Sequence, residues 1–68
     1  MTIQLVKSNN EKFAWKLVIK NVNWQKIETI LTKAWSVFTL DTHKSITLWD
    51  NSRQDLENQK CVIQQLFA

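Results

Sequence analysis

Glycine and proline are both absent from this 68-residue chain. A P-loop, a G-x-G-x-x-G turn and a G-x-S-x-G elbow are therefore excluded, because each needs backbone geometry that glycine supplies. Tight turns fall to Asn, Asp and Thr instead. A single cysteine excludes an intramolecular disulfide, and no Cys/His spacing resembles a zinc site. Histidine also occurs once, so His43 is the sole candidate for an imidazole base. No apolar run is longer than Leu17–Ile19, far short of a bilayer span. The opening M-T-I-Q-L-V-K has no extended apolar stretch of the signal-peptide kind. The expectation is a cytoplasmic protein with no membrane partner, no cofactor and no metal.

What is present is aromatic and mildly basic. Four Trp and three Phe serve a chain that has room for one domain only. A domain of this size buries only ~60% of the surface its unfolded chain exposes, so large rings must supply much of the core. The formal net charge is +3. That permits an acidic partner without demanding one.

The cleanest pattern lies in Lys12–Lys20, K-F-A-W-K-L-V-I-K. Strict alternation predicts a strand with Phe13, Trp15, Leu17 and Ile19 inward. Lys12, Ala14, Lys16, Val18 and Lys20 then face outward. Thr2–Lys7 alternates too, with Ile3 and Leu5 on one side. The two segments read as a hairpin. Matching faces require a loop of odd length, and Ser8-Asn9-Asn10 with Asn10 left-handed meets that need.

From Trp24 the period lengthens to that of a helix. Trp24, Ile27, Ile30, Leu31, Ala34 and Trp35 fall on one arc. Asn23 is the expected N-cap, with Val22 and Ile27 as a hydrophobic staple across it. Alternation returns in Ser36–Leu40 and Ser45–Trp49 around the polar turn Asp41-Thr42-His43-Lys44. This second hairpin places Phe38, Leu40, Ile46 and Leu48 inward and Trp49 outward beside Val37. Ser52 and Asp55 form a weak capping box for a second amphipathic helix carrying Leu56, Gln59, Val62, Ile63, Leu66 and Phe67.

The predicted fold is α+β, one domain over residues 1–68, in the order ββαββα. Strands cover about 2–7, 12–20, 36–40 and 45–49, and helices about 24–35 and 53–67. Two amphipathic helices accompany a small four-stranded sheet of antiparallel hairpins, with a mixed, β-grasp-like sheet as the alternative. The first five elements are similar in order to a β-grasp domain, which implies nothing about function. The halves also resemble one another, W-Q-K-I-E at Trp24–Glu28 against R-Q-D-L-E at Arg53–Glu57.

No catalytic set emerges. His43 sits in a turn with Asp41 nearby but without a nucleophile or pocket. Asp55 and Glu57 point to different helix faces, and Cys61 lies towards the polar side of its helix. The expectation is a non-enzymatic interaction module or regulatory adaptor that binds another protein, a homodimer included. The candidate interaction face is Lys12, Lys16, Val18, Lys20, Val37, Lys44 and Trp49. The alternative is single-stranded nucleic acid, with lysines on phosphates and Trp49 stacked on a base. A single arginine in the chain weighs against base-edge readout. Whether the last helix covers this outer face is open at the level of sequence.

Overall fold

The structure, a computed structural model, describes residues 1–34 and 36–67. Strands β1 (Thr2–Lys7), β2 (Trp15–Lys20), β3 (Val37–Thr42) and β4 (Ser45–Asp50) alternate with helices α1 (Trp24–Lys33) and α2 (Arg53–Leu66) in the expected order. The sheet runs β1-β2-β4-β3, and every neighbouring pair is antiparallel. The mixed, β-grasp-like alternative is thus not the arrangement adopted. Neither helix is long and apolar enough to cross a membrane.

Face assignments follow from register, because directly opposed residues share a face. Ile3 opposes Ile19 and Leu5 opposes Leu17. Leu17 in turn opposes Leu48, and Ile19 opposes Ile46. These four central side chains are fully buried and pack with Val22, Ile27, Ile30, Leu56 and Ile63 in one cluster. Both helices therefore cover the same face of the sheet. Helix α2 lies over β1, β2 and β4. Neither helix lies on the outer face, which answers the question the sequence leaves open.

The first hairpin corrects the predicted loop. Its odd parity is as expected, but β2 begins at Trp15 rather than Lys12, with Lys7 opposite Trp15. Seven residues, 8–14, connect the strands. One backbone bond closes the loop, Ser8 N–H to Ala14 O at 2.9 Å, and within it side chains take over: Asn10 N–H donates to Ser8 Oγ at 2.8 Å and Lys12 N–H to Asn10 Oδ1 at 2.7 Å. The Ala14 N–H donates to Asn51 Oδ1 at 2.9 Å, tying the loop to the end of β4. Asn10 is not left-handed; among the described residues that conformation belongs to Asn21, at φ 58°.

The helix caps match the reading closely. Asn23 Oδ1 accepts from Lys26 N–H at 2.9 Å, and Val22 and Ile27 on either side of it are both buried. Ser52 Oγ accepts from Asp55 N–H at 3.2 Å, but the reciprocal bond comes from Asp50, whose Oδ1 accepts from Ser52 N–H at 2.9 Å. Trp24, predicted inward, is 47% exposed and donates its indole N–H to Glu28 at 2.7 Å. Trp35 lies outside the described residues.

Candidate interaction surfaces

The outer sheet face presents, from one edge to the other, Gln4 and Val6, then Lys16, Val18 and Lys20, then Thr47 and Trp49, then Val37 and Thr39. Its centre is a small aromatic group. The Trp49 and Phe13 ring centroids are 6.3 Å apart, tilted at 41°. The Lys16 ammonium lies 5.6 Å from the Trp49 centroid. The Trp49 indole N–H donates to Thr39 Oγ1 across the sheet at 2.9 Å. Ring, cation and hydroxyl hold one another in place on this face.

Phe13 is a residue that alternation misplaces. It was expected in the core with Trp15, and it packs instead on Trp49 outside. The physical reason is that residues 8–14 leave the strand path, so period-two counting stops at Trp15. Trp15 itself keeps the core side, half-buried, with the Arg53 guanidinium 5.3 Å from its centroid.

The seven residues of the sequence-derived face do not form one patch. Lys16, Val18, Val37 and Trp49 share the outer face, with Val37 directly opposite Trp49. Lys20 shares it too, but four residues along β2 from Lys16, or ~13 Å. Lys12 is exposed in the first loop. Lys44 lies at the opposite end of the sheet, where its carbonyl accepts from Val22 N–H at 3.0 Å. There it borders an open recess with Asn21, Asn23 and Lys26. The lysines are spread over both ends of the sheet and make no continuous basic track.

The more apolar exposed surface lies at β3. All six of its residues are exposed. Phe38 opposes Leu48 and Leu40 opposes Ile46, so both rest on the helix side, as the sequence predicts. They are nevertheless 45% and 46% exposed, while their partners are fully buried. Val37 on the other side is 55% exposed. Strand β3 is at the sheet edge, outside the strands that α2 covers. This ledge was not visible to pattern reading, because alternation gives the face of a strand but not its rank in the sheet.

Asp41 is held by the sheet and not by His43. Its carboxylate accepts from Thr47 Oγ1 at 2.6 Å and from Ser45 Oγ at 3.4 Å, beside an irregularity in register between Leu40 and Thr42. The turn is His43-Lys44 alone, shorter than the predicted four residues, and His43 is exposed there. Cys61 is exposed on α2 and borders an open recess that Leu5, Arg53 and Glu57 also line. Glu57 pairs with Arg53 at 3.3 Å, and Asp55 lies in the first turn of α2, where its charge suits the helix dipole. Among the described residues no three His, Cys, Asp or Glu side chains converge as a metal site. No known protein family, curated protein or solved structure matches the chain.

Proposed function

We propose that the chain is a non-catalytic protein-interaction module, of the regulatory or adaptor kind, that receives a partner strand along β3. The observation that carries this reading is the open edge at Val37–Leu40, with Phe38 and Leu40 on the helix side and Val37 on the outer side all about half exposed. An edge strand offers unpaired N–H and C=O groups, and natural edges are usually blunted by Lys, Pro or a covering segment. Strand β3 has neither Lys nor Pro, its one charge, Asp41, is engaged by Thr47 and Ser45, and its irregularity, a further means of blunting an edge, lies beyond Leu40 and leaves Val37–Leu40 in regular register. Strand addition draws affinity from main-chain hydrogen bonds and specificity from alternate side chains. Here Phe38 and Leu40 provide the apolar side.

The test is capture of a partner by the immobilised chain from a lysate of its source. Leu40→Lys places a charge on the ledge at a half-exposed residue that is not itself a member of the buried cluster. Loss of the captured protein with Leu40→Lys and its retention with Gln25→Lys on the exposed side of α1 is the expected outcome. Equal capture by both variants removes β3 from the interaction.

A second reading, single-stranded nucleic-acid binding on the outer face, is favoured by the pairing of Lys16 with Trp49. Phe13 and Lys16 already occupy the surroundings of the indole, which leaves less ring for a base. This reading expects oligonucleotide to quench Trp fluorescence at low salt and release steeply as salt rises. No quenching at low salt eliminates it.

A further inference from the structure

We propose that the strand received by β3 is β3 of a second copy of this chain, paired antiparallel about a two-fold axis through Thr39. The inference rests on the reading of β3 as a docking edge and adds the identity of the occupant.

Antiparallel joining of two identical edges places the two-fold perpendicular to the sheet, so the helix side of one copy meets the helix side of the other. Opposed residues must then be of like parity. A two-fold through any residue of the strand satisfies this, and the centres that bring Phe38 or Leu40 into the shared ladder are Phe38, Thr39 and Leu40. Centring on Phe38 opposes the two phenyl rings but sets Leu40 against Ser36 of the other copy. Centring on Leu40 opposes the two leucines but runs the ladder into the irregularity between Leu40 and Thr42, which leaves Phe38 without an apolar partner. Centring on Thr39 opposes Phe38 to Leu40 twice, and so satisfies both apolar side chains of both copies. Each Phe38 ring then covers a Leu40 side chain of the other copy, so all four exposed apolar groups on the helix side lose contact with water.

Charge agrees with this choice. The register about Thr39 places each Asp41 opposite Val37 of the other copy, so the two carboxylates lie at opposite ends of the ladder. No lysine lies on β3, so two chains of net charge +3 can meet there without opposed ammonium groups. The helix side also has room, since Phe38 and Leu40 are exposed on it in the isolated chain. The other edge is less suitable. Ile3 and Leu5 on β1 already pack against the core, and the strand ends in Lys7.

Two such short edges fall in the class of weak associations, which bury less than ~1,200 Å² in total. The product is a reversible dimer with an eight-stranded sheet, twice the four strands of one chain, all helices on one side and both Trp49 groups on the other.

The experiment uses the full chain and reads mass and proximity. Sedimentation equilibrium from ~5 µM to ~1 mM brackets the range expected of a weak interface. The expected result is a rise from 8.1 kDa towards twice that mass, and a loss of at least ~10-fold in association for Leu40→Lys. Thr39→Cys in a Cys61→Ser background reads the axis. Residues directly opposed in antiparallel strands have Cα atoms about 4.5–5.5 Å apart, within disulfide reach. Oxidation is expected to cross-link Thr39→Cys and to leave Val37→Cys, whose two copies are far apart, largely monomeric. Circular dichroism confirms that each variant folds. A chain that stays monomeric at ~1 mM overturns the proposal, and so does a dimer that Leu40→Lys leaves intact and Thr39→Cys fails to cross-link. In either case the docking reading is judged separately, by whether Leu40→Lys abolishes capture of a different protein.

Discussion

Asn21 performs a task that glycine usually performs. The chain leaves β2 and must enter α1 within Asn21-Val22-Asn23, and it does so with Asn21 at φ 58°. Asparagine visits the left-handed region more readily than other residues with a Cβ, because its short polar side chain bonds locally. The turn lets Val22 drop into the core while its N–H donates to Lys44. Asn21→Gly is expected to leave stability within a few tenths of a kcal/mol, and Asn21→Val to cost ~1–2 kcal/mol, read from urea denaturation. Gln59 is the opposite kind of residue, a polar group inside. It is 1% exposed, and its amide nitrogen donates to Ser36 Oγ, which donates on to Asp50 at 2.9 Å. This relay joins α2 to the end of β4 and to the segment before β3. Its Oε1 has no partner among the described residues. The amphipathic arc put Gln59 on the buried side of α2, which the structure bears out. The relay itself joins residues 36, 50 and 59, too far apart along the chain for periodicity to link them.

At the scale of elements, the loop between β1 and β2 is tied to the far end of β4 by one remote side chain. Asn51 Oδ1 takes the Ala14 N–H, 37 residues away in sequence. Removing that acceptor leaves the donor to water and loosens the loop that holds Phe13 against Trp49. Asn51→Ala is expected to speed hydrogen exchange at Ala14 markedly and to leave exchange at Leu17 and Leu48 unchanged, which amide exchange by NMR resolves. The strands, helices and caps were legible because each is written in a local period or a local residue pair. Asn23 before Trp24 and Ser52 before Arg53 needed no knowledge of the rest of the chain. Element ends were less legible. Phe13 continued the alternation of β2 by coincidence of composition, while the hydrogen bonds of residues 8–14 had already drawn it out of the strand. The exposed ledge at Phe38 and Leu40 was illegible for another reason. Their apolar character and their face were correct, but their exposure follows from the sheet order β1-β2-β4-β3, a property of no single segment.

At the scale of the whole molecule, the two halves have the same build. Each is a hairpin followed by a helix, with β2 and β4 adjacent and antiparallel at the centre, β1 and β3 at the edges, and both helices on one face. The halves are thus related by an approximate two-fold between β2 and β4. They differ in their connections, seven residues in the first hairpin against two in the second, and in their edges, since β1 is half-covered and β3 is open. That asymmetry leaves one edge of the sheet open and not two. The central pair also has a consequence for how the chain reaches this state. Both hairpins and both helices close over short stretches of sequence, whereas Leu17 meets Leu48 only across a long loop. Loop closure of that kind is an entropic barrier that local contacts do not lower. The β2–β4 seam should therefore form in the rate-limiting step. Leu17→Ala, which costs ~2–5 kcal/mol as a buried truncation, is expected to slow folding in stopped-flow refolding, whereas Leu5→Ala on the edge mainly accelerates unfolding. Until the seam closes, each half is a ββα unit with an open central strand. At high chain concentration, that strand can accept the matching half of another molecule, so the seam also governs the partition between refolding and exchange of halves between chains.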